Sequence, residues 1–273
     1  MSETYPNQTR ALPLAKITLA LMAINIILFV WQILTGVDAS SPSTADAIRW
    51  GADYAPLTYL QEPFRLFSSM FFHFGFPHLM FNMWALYVFG NLAEHTFGRF
   101  YFLGLYLLAG MMGSLLSGYI DIRNSFEMLQ HFNPDLFPRV SAGASGAVMG
   151  IGGALTALSF FPRLARQQLA LDKKSLLIIM AINLAFGFFT SGINNAAHIG
   201  GMLMGIGLAI SWYIVQHFKL NKILLLLILI VGALCCYGFF LYSSNLVQSI
   251  APFWHELLAV MLEKTGLNNT TIL

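Results

Sequence analysis

Through most of this chain apolar positions neither alternate nor recur every three to four residues. They run uninterrupted through seven stretches, with polar and charged residues gathered between them. The runs extend near Ile17 to Leu34, Pro77 to Ala93, Phe100 to Tyr119, Ser145 to Phe161, Leu176 to Thr190, Ala196 to Gln216 and Ile223 to Tyr242. A membrane-crossing helix needs roughly 18 to 25 such residues, and several runs are short for a full span. Continuous runs predict helices, because membrane strands would alternate. The pattern therefore predicts an all-α polytopic membrane protein with seven helices. The first run is long and lacks a small-residue cleavage site, so it reads as a retained helix and not a signal peptide.

Composition agrees. The chain is 57% hydrophobic and only 10% charged, with mean hydropathy +0.68. A water-soluble domain of this size would expose far too much apolar surface at those values. Cys235 and Cys236 are adjacent inside the seventh run and supply neither a disulfide framework nor metal-ligand spacing. The net charge of +2 is too small and dispersed to call for nucleic acid.

The charges bear on topology instead. Threading the spans alternately puts Arg10, Lys16, Arg99, Arg163, Arg166, Lys173, Lys174, Lys219 and Lys222 on one side. Arg49, Arg65, Arg123, Arg139 and Lys264 fall on the other. The positive-inside rule then places the N-terminus in the cytoplasm and the C-terminus outside. Ser145 lies 18 residues before Arg163, roughly 27 Å of helix, and so sits just beneath the outer surface. His198 and His78 reach similar depths on two other helices. Three reactive side chains thus share one level.

Gly143-Ala144-Ser145-Gly146 opens the fourth span and Ala197-His198 opens the sixth. A serine at a helix mouth beside an imidazole on a neighbouring helix forms the activated nucleophile of acyl transfer. The small residues Gly143, Gly146 and Gly150 also fit plain helix packing. Gly201 and Gly205, in GxxxG spacing, would press the sixth helix against the glycine-rich fourth and bring His198 to Ser145. Pro77 suits the first turn of a helix. His78 and Asn82, four apart, share its face and offer donors for an oxyanion alongside the Ser145 backbone N–H. An interhelical polar clamp is the other reading of that pair.

This pattern resembles the rhomboid family of intramembrane serine proteases. The resemblance rests on HxxxN at His78 to Asn82, GASG at Gly143 to Gly146 and AHxxGxxxG at Ala197 to Gly205, in the family's order. Glu62-Pro63-Phe64-Arg65 is similar to the family's Trp-Arg pair in the first outer loop, and His73 matches a further histidine. The match covers about Glu62 to Gln216. It implies a six-helix rhomboid-like core over residues 17–216, with a cytoplasmic N-terminus at 1–16. An additional helix at 223–242 and an extracytoplasmic tail at 243–273 would follow. It implies a Ser145/His198 dyad, an oxyanion hole from the Ser145 N–H, His78 and Asn82, and no metal or cofactor. Two positions depart from the family: Met149 stands where an aromatic often stacks on the catalytic histidine, and Phe64 replaces Trp.

The carboxylates, read as lying in loops, tails or span ends, leave neither a buried aspartate pair nor an HExxH zinc site for other intramembrane protease chemistries. Ala147 breaks the GxSxG of soluble α/β-hydrolases. The reading is a serine endopeptidase of the membrane, in a bacterial inner membrane, acting on transmembrane-protein substrates in the lipid bilayer. The alternative is a catalytically silent relative that binds membrane proteins as a chaperone or adaptor. A transporter is disfavoured because the polar groups cluster at one depth and no inverted repeat is visible. Bulky Phe186-Gly187-Phe188-Phe189 marks the fifth span as a gate. Trp50, Tyr54, Tyr59 and Phe64 read as an interfacial belt, and residues 252–264 as an amphipathic segment on the outer leaflet. Asn268 to Thr271 contains glycosylation sequons.

Overall fold

A computed structural model describes residues 15–164, 172–189 and 195–266, without the side chains of 186–189. Arg10, Arg166, the Phe186 to Phe189 side chains and the Asn268 to Thr271 sequons lie outside the described residues. Every element among those residues is helical, apart from one isolated antiparallel bridge between Asp53 and Ser141.

The seven helices that carry the apolar runs are α1 (Lys16–Leu34), α5 (Phe76–Phe97), α6 (Arg99–Gln130), α7 (Ser145–Ser159), α8 (Lys173–Phe189), α9 (Asn195–His217) and α10 (Ile223–Val247). Of these, α1, α6, α9 and α10 are long and apolar enough to cross a membrane by length and composition, and α7 is a shorter apolar helix. Between α1 and α5 the chain folds into three short helices, α2 (Thr44–Arg49), α3 (Ala55–Leu60) and α4 (Arg65–Ser68). A final helix, α11 (Ala251–Thr265), follows α10.

Helix α6 forms the centre, packed by α7, α9 and α10. Its neighbours approach closely because glycine removes the side chain that would hold them apart. A Cβ on Gly201 would fall 2.0 Å from the Gly146 carbonyl oxygen, and one on Gly205 would fall 1.9 Å from that of Gly150. On α7, a Cβ at Gly150 would lie 2.2 Å from the Ala109 Cβ of α6. The expected pressing of the sixth span on the fourth is therefore backbone against backbone, which fixes the two helix mouths relative to each other.

At the opposite end of the bundle, Glu94 caps α1. Its carboxylate accepts from the N–H groups of Ile17 (3.1 Å) and Thr18 (2.8 Å) and from the Thr18 hydroxyl (3.0 Å). Those amides are the donors a helix start leaves unpaired, and satisfying one contributes about 1 kcal/mol.

Three expectations change. The third span continues eleven residues past Tyr119, to Gln130, so Asp121 is a buried carboxylate inside a helix and not a span-end residue. Tyr54 and Tyr59 are buried among the short helices and α11, not exposed in a belt. Residues 252–264 are helical, but the apolar stripe of α11 faces protein. Trp254 is fully buried and its indole donates to Ser125 Oγ on α6 (2.9 Å), while Leu258 packs on Ile48 and Leu57. An amphipathic helix satisfies its apolar face equally on lipid or on protein, and here the short helices supply the surface.

Candidate active site

The serine and both histidines sit in the first turn of their helices. Ser145 is the first residue of α7, His198 the fourth of α9 and His78 the third of α5. The three helices open at the same end of the bundle. There Ser145 Oγ and His198 Nε2 stand 2.8 Å apart. His198 is 2% exposed. For Nε2 to accept the serine proton, Nδ1 must carry the ring hydrogen. That Nδ1 is buried with no hydrogen-bond partner among the described residues, so among those residues packing alone orients the ring.

The histidine of α5 is arranged the other way round. His78 Nδ1 accepts the Phe74 N–H at 3.2 Å, which makes the ring neutral with its hydrogen on Nε2. Nε2 is buried and has no partner among the described residues. It lies against the loop before Ser145: a Cβ on Gly143 would be 2.9 Å from His78 Nε2 and 3.8 Å from Ser145 Oγ. Gly143 has φ +125, a backbone region open to glycine. Only glycine therefore leaves the space between the hydroxyl and this N–H. Asn82 Nδ2 donates to the His78 carbonyl at 2.9 Å, so one amide hydrogen stays on its own helix and a second is left over. The first-turn N–H groups of α7, Ser145 among them, have no intrahelical acceptor.

Behind Ser145 lies a small cavity of about 20 Å³, lined by Ser69, Ser114, Ser141, Gly143 and Ala197 among others. That is room for one water among polar partners.

The segment entering α7 is held by the short-helix layer. Asp53 and Ser141 exchange backbone hydrogen bonds (2.9 and 2.8 Å), Gly143 N–H donates to the Ser69 carbonyl (2.9 Å), and Ala144 N–H points at His73 Nε2 (3.5 Å). Arg65, 1% exposed, donates to the Ile48 and Ala52 carbonyls (2.8 and 2.9 Å) and pairs with Glu62 (2.6 Å). It organises this layer and does not reach the dyad. Asp53 accepts the Thr58 hydroxyl at 2.6 Å. Burial pushes its carboxyl up to about 7, against the opposing pull of Thr58 and Arg65. Met149 is buried one turn beyond Ser145 in the main core, and Phe64 is exposed, with the Arg65 guanidinium over its ring.

Ser69, Ser114 and Asp53 were not singled out from the sequence. Ser69 and Ser114 are two serines among several in apolar surroundings, and Asp53 sits in a loop where a carboxylate is ordinary. No local signal marks them, because their role depends on which distant backbone they meet.

Fold and site together define a polytopic helical membrane protein with a hydroxyl–imidazole pair at adjoining helix mouths. The Rhomboid domain family matches residues 60–217, nearly the span expected from the motifs. The chain is 30% identical over 247 residues to Rhomboid protease GluP of Bacillus subtilis, covering 88% of this chain and 44% of that protein. It is 30% identical over 238 residues to Rhomboid protease AarA of Providencia stuartii, covering 84% and 83%. It is also 34% identical over 166 residues to the mitochondrial RHOMBOID-like protein 6 of Arabidopsis thaliana, covering 60% and 48%. The chain thus spans less than half of GluP and most of AarA. It belongs to the rhomboid family, with the all-α membrane fold that its seven runs predict.

Proposed function

We propose that this chain is an intramembrane serine endopeptidase that cleaves transmembrane proteins with a Ser145/His198 dyad. The observation that carries this reading is the 2.8 Å pair beside a buried, unspent N–H. His198 Nε2 takes the proton of Ser145 as Oγ attacks the peptide carbonyl carbon. The oxygen, now negative, is received by His78 Nε2–H, the Ser145 backbone N–H and the free amide hydrogen of Asn82. His198 returns the proton to the leaving amine, and the acyl-enzyme remains. A water, for which the cavity behind Ser145 has room, then attacks the ester with His198 again as base.

The substrate must present an extended bond, since a peptide inside a regular helix is shielded by its own turns. Transmembrane segments with small, helix-weakening residues meet that need. In the bacterial inner membrane proposed for it, the Lys and Arg bias favours an N-terminus on the cytoplasmic side and a dyad near the outer face.

The test is incubation of detergent-purified protein with a single-pass substrate, comparing wild type, Ser145→Ala and His198→Ala by gel. Cleavage by the wild type alone is expected, with each variant at least about 1,000-fold slower. Cleavage that survives in Ser145→Ala would sink the mechanism. Substrate bound but uncut by every form would favour the binding-protein reading.

A further inference from the structure

We propose that the groove between α6, α9 and α10 is a binding site for one anionic phospholipid, with an acyl chain in the groove and the phosphate at Lys219 and Lys222. The groove encloses about 780 Å³ and runs along α9 from Gly200 to Val215. Those sixteen residues span roughly 24 Å of helix, longer than the ~15 Å of hydrocarbon in one leaflet.

Gly207 makes the slot. Nothing lies within 4 Å of the position its Cβ would take, whereas Gly201 and Gly205, on the face toward α7, touch backbone. The exposed side chains of Leu203, Ile214, Leu227 and Val231 form the rims. The hydroxyl of Ser211 on the wall is spent on the Gly207 carbonyl of its own helix (2.9 Å). Apart from the weakly polar Cys235 thiol, the side chains of such a surface reward only apolar contact.

Size selects among apolar occupants. A membrane-spanning helix, about 10–12 Å across and 30 Å long, fills roughly 2,000–3,000 Å³, well beyond this groove. An acyl chain fits. The charge at the far end selects among lipids. Lys219 and Lys222 lie in the short turn joining α9 to α10, both are exposed, and neither has a carboxylate partner among the described residues. Lys219 holds a left-handed backbone (φ 51) in that turn, and both lysines follow Val215 and precede Leu224, the lining residues of the groove end remote from the dyad. Two ammonium groups at that end favour a phosphate with net negative charge over a zwitterion.

Native mass spectrometry of the full-length chain, incubated with equimolar phosphatidylglycerol and phosphatidylcholine of identical acyl chains, tests this. The wild type should retain one phosphatidylglycerol per chain, about tenfold over phosphatidylcholine. Gly207→Leu should cut retention of both lipids at least tenfold, because the side chain grows into the open slot. Lys219→Gln with Lys222→Gln should erase the preference and keep the acyl contact. Equal retention of the two lipids by the wild type, or retention indifferent to Gly207→Leu, would overturn the proposal in favour of nonspecific boundary lipid. A dimer that Gly207→Leu dissolves would overturn it in favour of a second copy.

The native cysteines give a check that needs no variant. Cys235 lines the groove and is exposed, while Cys236 beside it is buried. Phosphatidylglycerol, unlike phosphatidylcholine, should slow maleimide labelling of Cys235 at least fivefold, with Cys236 unreactive throughout. A Cys235 rate indifferent to phosphatidylglycerol would overturn the proposal.

Discussion

Helix α9 has two faces built with the same residue and used in opposite ways. Toward α7, Gly201 and Gly205 leave no space, and a Cβ on either would collide with a carbonyl oxygen of α7 about 2 Å away. Two residues further along, Gly207 faces a groove where a Cβ meets nothing. The closed face is the rigid mount that holds His198 against Ser145. The open face contributes nothing to that mount and leaves a surface for lipid. Glycine therefore does two jobs on one helix: it lets backbones touch, and it keeps a slot empty.

The largest effect should come from the closed face. Gly205→Val would force α9 away from the Gly150 backbone, which cannot rotate aside as a side chain would. It should cost about 3 kcal/mol or more of stability. It should also lower proteolysis about 100-fold or more through displacement of the dyad, read by thermal unfolding in detergent and by substrate cleavage. Wild-type behaviour in both would show that the two faces do not differ as described.

A second prediction concerns the layer that holds the nucleophile loop on the closed side. The folded chain keeps a proton on Asp53 up to about pH 7, whereas the unfolded chain loses it in the ordinary carboxylate range. Asp53 therefore contributes stability that is fully present at acid pH and lost as pH rises through about 7. The slope is at most about 1.4 kcal/mol per pH unit. Asp53→Asn should flatten that part of the unfolding profile between pH 4 and 7. An unchanged slope would remove Asp53 as its source.

The smallest effect belongs to the open face. Gly207→Ala adds one methyl to empty space and a better helix former to α9, so it should be neutral or stabilising by up to about 1 kcal/mol, with proteolysis unchanged. A loss matching that of Gly205→Val would erase the distinction.

Much of the candidate site was legible in the sequence, because histidines are rare in apolar runs, and the spacing of His78 and His198 put them at one depth with the serine of Gly143 to Gly146. Continuous hydrophobicity likewise marked α1 and α5 to α10. Other features were not local. The segment from Asp121 through Arg123 to Glu127 reads as a polar loop, yet it extends α6, and the Ser125 hydroxyl within it accepts the Trp254 indole of α11. Tyr54 and Tyr59 look like belt aromatics until α11 covers them. Nor does the spacing of Gly201, Gly205 and Gly207 say which glycine meets a neighbour. That depends on the direction each position faces once α9 is seated between α7 and α10.

The most direct measurement of the central claim is labelling with a fluorophosphonate probe, followed by peptide mass spectrometry. Attack by Ser145 Oγ on phosphorus expels fluoride and leaves a stable adduct only where an imidazole accepts the serine proton. The account predicts one adduct per chain, on Ser145, lost in His198→Ala and retained in Gly207→Ala. Labelling of Ser145 at the wild-type rate in His198→Ala, or an adduct on another residue, would contradict it.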